Sequence, residues 1–155
     1  MGFYEWIANL FKMQPPFYPP KLGVINIKEL NMLLYTAFKT PGKTLDLHLG
    51  DRNFGVTDMI SAKKFSDTHH RPQMATWLSE AYDCEDFSYA LMGFWRRIVG
   101  TVAFGIVWSD THAFNFMVDE KRQIWIVEPQ GNKFMRFEDA KKDTPKYFPI
   151  RLVMC

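Results

Sequence analysis

This 155-residue sequence has few cysteines, a small net charge and no long apolar run. Its two cysteines, Cys84 and Cys155, are too few for a disulfide framework, so we expect a reducing compartment. A net charge of +2, without a basic stripe interleaved with aromatics, argues against nucleic-acid binding. No stretch approaches the roughly 18 apolar residues of a membrane span. We also expect no signal peptide, because Glu5 interrupts the first apolar residues.

Apolar and aromatic side chains are plentiful, at 47% and 16% of residues. They suffice for a packed core, and the length suits one domain, which we place at 17–155. Residues 1–16 are predicted to hold an amphipathic helix (3–12) and a proline connector. The apolar face of that helix is unusually wide. It is therefore a candidate for docking on the domain, on a partner or on a membrane surface, or for oligomerisation.

The order of helical and strand patterns predicts an α+β fold, with a helical half followed by an antiparallel half. Periodicity and capping signals predict helices at 26–39, 57–65, 72–80 and 84–96. Alternation predicts strands at 45–49, 101–108, 112–118, 123–128 and 148–154. The helix at 84–96 is expected to bury one face, made of Phe87, Ala90, Leu91, Phe94 and Trp95.

Cys84 lies at the start of a predicted helix, where a thiolate is favoured. The helix dipole and the free amides of the first turn lower a thiol pKa there. The adjacent carboxylates Asp83, Glu85 and Asp86 act against this, because nearby negative charge disfavours a thiolate. A nucleophilic Cys84 therefore requires a cationic partner, and an imidazolium is the usual one.

His112 is the candidate for that partner, with Glu128 sixteen residues later as its orienting carboxylate. In an antiparallel hairpin, side chains at opposed positions share a face. A three-residue loop would set His112 opposite Glu128, whereas a five-residue loop, 119–123, would make them diagonal neighbours on one face. A loop of two or four residues would separate them.

Two other residues compete with Glu128 for the third position of a triad. Asn115 is expected to point away from His112 in a regular strand, and Asp119 is expected to lie in the turn. From spacing alone, structural roles for Cys84 and His112 also stay open, because a lone cysteine is usually a small buried side chain.

Three short motifs together carry a family resemblance: Asp83-Cys84-Glu85-Asp86-Phe87, His112-Ala113-Phe114-Asn115 and Glu128-Pro129-Gln130. In this order they resemble the papain-like C-terminal cysteine protease domain of the Marasmius oreades agglutinin and its stand-alone microbial and phage relatives. More distantly, the chain is similar to transglutaminase-like cysteine proteinases, which begin the nucleophile helix with Cys-(Asp/Glu)-Asp-(Phe/Tyr). The resemblance covers roughly residues 17–155.

The resemblance implies a papain-like fold in which Cys84 is the nucleophile, His112 the general base and Glu128 the orienting residue. It implies a peptidase or amidase that acts on a peptide or protein through a thioester. The agglutinin protease depends on calcium, so Asp83, Glu85, Asp86 and Glu128 are candidate oxygen ligands, although no cofactor is required. Gln73 is the nearest upstream glutamine and a candidate oxyanion donor.

Two alternatives remain open beside hydrolysis. A transglutaminase-type acyltransferase would use the same residues and pass the acyl group to an amine. A phage or bacterial structural or interaction protein would keep the fold without turnover. Either protein, like the peptidase, is expected to be cytoplasmic or associated with a virion.

Overall fold

The computed structural model describes residues 17–69 and 83–155 of the chain. Within them lie eight strands and four helices, in the order β1 (Gly23–Asn26), α1 (Ile27–Phe38), β2 (Asp46–His48), β3 (Asn53–Val56), α2 (Met59–His69), α3 (Cys84–Val99), β4 (Phe104–Ser109), β5 (Ala113–Val118), β6 (Ile124–Glu128), β7 (Lys133–Arg136), α4 (Phe137–Ala140) and β8 (Ile150–Met154). The predicted segments 1–16 and 72–80 fall outside this part of the chain. The α+β class is confirmed.

The main sheet has six strands in the order β2-β8-β4-β5-β6-β7. All its neighbours are antiparallel except β2 and β8, which pair in parallel. A second sheet, β1-β3, lies within the half that we expected to be helical. The strands of the second half of the chain pair antiparallel as predicted, but the expected antiparallel sheet gains an edge strand whose parallel pairing was not foreseen. Strand β2 comes from the first half of the chain and pairs with the last strand.

Helix α1 begins where the sequence predicts it. The Asn26 side chain accepts hydrogen bonds from the amides of Lys28 and Glu29, both at 3.0 Å, and so satisfies two donors of the first turn. The helix ends at Phe38, shortly before Pro41. Its buried side chains pack against one face of β5 and β6, in a cluster that includes Leu30, Leu34, Phe38, Phe114, Phe116 and Ile126.

Helix α3 covers the other face of the sheet. Its buried residues are Phe87, Ser88, Leu91 and Trp95, and Trp95 stacks on Phe104 of β4 with ring centroids 4.7 Å apart. Ala90, which we assigned to the buried face, is exposed. Ser88 is buried instead, because the helix is rotated slightly from the predicted face, which still shares Phe87, Leu91 and Trp95 with the buried one.

Helix α2 and several short elements differ from the sequence expectation. We predicted a helix at 57–65, but Thr57 forms an isolated bridge with Asp119 and the helix runs over Met59–His69. Strands β1, β3 and β7 and the single turn α4 were not predicted. No helix among the described residues is long and apolar enough to cross a membrane.

Candidate active site

Cys84 is the first residue of α3. A reciprocal capping box holds this end of the helix: the Asp83 side chain accepts from the Glu85 amide at 3.1 Å, and the Asp86 side chain accepts from the Asp83 amide at 3.1 Å. The cap fixes where the helix starts, and with it the direction in which the Cys84 side chain leaves the backbone. The predicted placement of Cys84 at a helix N-terminus is observed.

The Cys84 sulfur is half-buried against the start of β5. It accepts a hydrogen bond from the Ala113 amide at 3.4 Å. Burial raises the pKa of this thiol, the Ala113 amide lowers it, and the neighbouring carboxylates Asp83 and Glu85 raise it, with a net shift above the ordinary value. The electrostatics around Cys84 thus oppose a thiolate unless a cation approaches.

The turn between β5 and β6 sets the register of the hairpin. Val118 pairs with Ile124 and Asn115 pairs with Val127, so the loop is the five-residue one, 119–123. Asp119 holds the turn, because its carboxylate accepts from the amides of Lys121 at 2.9 Å and Gln123 at 2.8 Å. The position of Asp119 in the turn is as predicted.

This register makes His112 and Glu128 diagonal neighbours, and their side chains meet. His112 Nε2 lies 2.9 Å from Glu128 Oε1, and the two side chains are only 13% and 11% exposed. Burial raises the pKa of Glu128, but the His112 hydrogen bond and charge, the Tyr147 hydroxyl and Lys146 outweigh it and leave the pKa lowered. Glu128 is therefore ionised at neutral pH and can hold the imidazole.

The structure brings Cys84 next to the His112 backbone but does not join its sulfur to the imidazole. Between these two described residues there is no hydrogen bond; the sulfur instead meets the amide of the residue after His112. The His112 ring packs near Phe114, on the face of β5 that α1 covers, with ring centroids 5.8 Å apart. Helix α3 covers the opposite face. The sulfur and the imidazole thus lie on opposite faces of β5, at the end where that strand begins.

Asn115 faces α3, away from His112, as the alternation of a regular strand predicts. Its amide donates to the Ser88 carbonyl at 2.9 Å and to the Gly105 carbonyl at 3.1 Å, and its side chain is fully buried. These bonds join α3 to β4. Asn115 therefore acts as a structural link between elements and does not touch the imidazole.

The remaining site predictions concern the oxyanion donor and the calcium ligands. Gln73, the candidate oxyanion donor, lies outside the described residues. Of the candidate calcium ligands, Asp83 and Asp86 cap α3, and Glu85 accepts from Trp108 Nε1 at 3.0 Å. Among residues 17–69 and 83–155, no three His, Cys, Asp or Glu side chains are grouped to hold a metal. Asp83, Asp86, Glu85 and Glu128 thus all have other hydrogen-bond partners, and calcium binding stays a prediction.

Two residues at the site were missed from the sequence, Tyr147 and Ser109. Tyr147 is buried, with its ring 6.0 Å from that of His112. The Ser109 hydroxyl accepts from the His112 amide at 3.0 Å. Tyr147 belongs to no periodic segment and Ser109 is an ordinary strand end, so neither gives a signal in the sequence.

Two open cavities lie beside the site. One, of about 730 Å³, is lined by residues including Glu128, Gln130, Lys146 and Tyr147. The other, of about 560 Å³, is lined by residues including Glu85, Trp108 and Arg151. The first cavity adjoins the His112–Glu128 pair, because Glu128 lines it. The second adjoins the start of α3, because Glu85 directly follows Cys84.

Comparison with solved structures finds the same fold in lectins. A complex of PSL1a with E64 superposes with a TM-score of 0.63 at 17% identity. A Polyporus squamosus lectin bound to the human-type influenza-binding epitope Neu5Acα2-6Galβ1-4GlcNAc gives a TM-score of 0.60 at 14% identity. Both matches cover 85% of this chain, but 51% and 49% of the lectin chains. This chain therefore spans about half the length of these two proteins.

No protein-family model matches the sequence, and no curated protein matches it. At identities this low, the two lectins show a shared fold and nothing more specific. They are not the agglutinin protease that the motifs resemble, so that resemblance remains a prediction.

Proposed function

We propose that this protein is a papain-like cysteine-nucleophile hydrolase, a peptidase or amidase, with Cys84 as nucleophile, His112 as general base and Glu128 as orienting residue. The observation that carries the proposal is the His112–Glu128 pair, 2.9 Å apart and almost excluded from solvent. A buried carboxylate on one imidazole nitrogen beside a helix-terminal cysteine is the arrangement that activates a thiol.

The tautomer of His112 supports this assignment. The Glu128 carboxylate accepts a hydrogen bond from His112 Nε2. The neutral ring therefore carries its proton on Nε2, and the Nδ1 lone pair is available. Nδ1 is then the atom that accepts the thiol proton. The proposed mechanism requires the Cys84 side chain to turn toward Nδ1 while His112 keeps its contact with Glu128; such contacts are often long before substrate binds.

The reaction then follows in balanced steps. The Cys84 thiolate forms a C–S bond to the substrate carbonyl, and the C=O π electrons move to oxygen. The tetrahedral adduct collapses, the C–N bond breaks, and His112 Nδ1–H protonates the leaving amine. Water, deprotonated by the same nitrogen, attacks the thioester, and the acid product leaves as the thiolate is restored. The Cys84 amide, which has no intrahelical acceptor, is the candidate oxyanion donor.

The two cavities support a chain-like substrate such as a peptide. They adjoin different members of the site, Glu128 and the Cys84 neighbour Glu85, and an extended backbone is long enough to contact both. A transglutaminase-type acyltransfer would share every step up to the thioester and differ only in using an amine in place of water.

A non-catalytic interaction protein is the second candidate function. It is favoured by one observation: the Cys84 sulfur hydrogen-bonds a backbone amide rather than the imidazole. In such a protein His112 and Glu128 would serve as a buried structural pair.

Alkylation of Cys84 by iodoacetamide at pH 6 separates these functions. Cys155 is a poor comparator, because burial raises its pKa to about 12 and hides its sulfur. Glutathione is the better reference. An isolated thiol with the surroundings of Cys84 should react more slowly than glutathione, whereas a thiolate–imidazolium pair should react about tenfold faster.

The matched control is His112→Gln, which leaves Cys84 and its cap in place. If the wild type reacts faster than glutathione and His112→Gln does not, the nucleophile is activated as proposed. Equal rates in the two proteins would favour the interaction protein. E64, the compound in the PSL1a complex, is a second probe. A peptide-library digest, with and without an added amine and with Cys84→Ala as blank, then distinguishes hydrolysis from acyl transfer.

A further inference from the structure

The Glu128 carboxylate has a neighbour that the proposed mechanism does not use. Tyr147 is 4% exposed and follows α4 by seven residues, in the segment that leads to β8. Its ring meets two others edge to face: that of His112, with centroids 6.0 Å apart, and that of Phe114, with centroids 5.2 Å apart. Tyr147 therefore covers the imidazole from the side of the sheet that faces α1.

Tyr147 lines the same cavity as Glu128, the carboxylate that His112 contacts. Burial and, after it, the interaction with Glu128 raise the Tyr147 pKa, so the phenol stays protonated and is available as a donor. A carboxylate that receives one donor can rotate about its Cγ–Cδ bond, whereas two donors from different directions fix its plane. The Lys146 ammonium lies farther off, with Nζ 3.8 Å from Glu128 Oε1, and is half exposed.

A separate set of bonds ties the Tyr147 segment to the loop that carries His112. The buried Ser109 hydroxyl donates to the Lys146 carbonyl at 2.6 Å and accepts from the His112 amide at 3.0 Å. The Thr111 hydroxyl adds a bond to the Pro145 carbonyl at 3.2 Å. The two segments that place Tyr147 and His112 are thus fastened to each other through one serine oxygen.

We propose that Tyr147 is a positioning residue that fixes the Glu128 carboxylate against His112, and that Ser109 holds the Tyr147 segment to the His112 loop. The proposal rests on the proposed function, because it assigns Tyr147 to the orientation of the same general base. Its effect is to keep the imidazole in the Nε2–H tautomer, which leaves Nδ1 free for the thiol.

The first test reads the imidazole directly and does not depend on activity. Long-range ¹H–¹⁵N NMR of the ¹⁵N-labelled protein at pH 8 reports the tautomer of each histidine, and the His112 signals are assigned by their loss in His112→Gln. We expect the wild type to be mainly Nε2–H. In Tyr147→Phe, which keeps the ring and removes the hydroxyl, we expect at least a threefold rise in the minor tautomer. Tyr35→Phe, an exposed tyrosine on α1, is the control.

The second variant is Ser109→Ala, which leaves the Tyr147 hydroxyl in place but releases its segment, and it should raise the minor tautomer in the same direction. If Tyr147→Phe folds and its tautomer ratio stays within experimental error of the wild type, the proposal is overturned. The Cys84 alkylation rate, expected to fall about threefold in Tyr147→Phe, is measured in parallel. A wild type that reacts no faster than glutathione would overturn the proposed function alone, since the NMR result stands by itself.

Discussion

His112 Nε2 lies 2.9 Å from Glu128 Oε1, although sixteen residues and a tight turn separate them. The contact depends on the five-residue turn held by Asp119, because a loop one residue longer or shorter would turn one side chain to the other face. The chemistry proposed for this protein therefore rests on a feature of strand register as much as on residue type.

The first prediction concerns acid stability and the Glu128 pKa. The folded-state pKa of Glu128 is lowered, so its ionised form stabilises the fold at any pH above the unfolded value of about 4.3. That stabilisation is lost as the pH falls from about 5 through the lower folded-state pKa. In Glu128→Gln, we expect the free energy of unfolding to fall less steeply over this range than in the wild type. Urea denaturation at a series of pH values measures both slopes.

Glu138→Gln is the matched control for that experiment. It makes the same change of residue at an exposed carboxylate of α4. A slope that changes in Glu128→Gln and not in Glu138→Gln points to the buried carboxylate. Equal slopes for Glu128→Gln and the wild type would contradict a lowered Glu128 pKa.

The second prediction concerns the charge beside the nucleophile. Burial chiefly raises the pKa of Cys84, and Asp83 and Glu85 raise it further. Glu85→Gln removes one of these charges while its side-chain oxygen can still accept from Trp108 Nε1. We expect the pH midpoint of Cys84 alkylation to move down. The rate–pH profile of alkylation by iodoacetamide measures this midpoint, and Glu138→Gln is the distant control. An unchanged midpoint would show that the Glu85 charge does not affect the Cys84 pKa.

The third prediction separates Asn115 from Glu128. Asn115→Ala removes two bonds that join α3 to β4 and leaves a buried gap, so we expect a loss of about 1–3 kcal/mol in the free energy of unfolding. Cys84 alkylation in the folded protein should stay within about twofold of the wild type, because Asn115 does not touch the imidazole. Glu128→Gln should instead reduce the alkylation rate about tenfold or more, as expected when the base loses its orienting partner.

Measured urea midpoints and alkylation rates for both variants decide the point. A slow Asn115→Ala protein that is as stable as the wild type would make Asn115 the third member of the triad.

Local signals account for the parts of this fold that the sequence predicts well. Asn26 and Asp83 are helix caps whose side chains bond amides within three residues, so α1 and α3 begin where the pattern places them. The β5–β6 hairpin is equally local, and its loop length limits the register to a few choices. One of those choices is the observed contact between His112 and Glu128.

The missed features depend on partners far away in the chain. Strand β3 (Asn53–Val56) is short, and it pairs with β1 about thirty residues earlier, where neither segment alternates clearly. Ala90 is exposed because the packing of α3 on the sheet sets its rotation, which the helical period alone leaves undetermined. Tyr147 packs against His112 from a segment without regular structure. The residue types of the proposed site are thus visible in the sequence, whereas the residues that hold them in place are visible only in the fold.

The last prediction compares the effects of alanine substitution at two glycines on stability. Gly105 lies in β4 where a Cβ atom would come within 2.2 Å of the Met154 carbonyl and 2.5 Å of the Phe116 ring. Backbone atoms of β8 cannot move aside without disturbing the sheet, so Gly105→Ala should cost about 1–3 kcal/mol or more. Gly93, exposed within α3, has nothing within 4 Å of its Cβ position. There an alanine restricts the unfolded chain and favours the helix, so Gly93→Ala should add about 0.5–1 kcal/mol. Urea midpoints that shift in opposite directions would confirm the close approach of β4 and β8 at Gly105. If Gly105→Ala left the midpoint unchanged, it would contradict that approach, because a Cβ atom would then fit between the two strands.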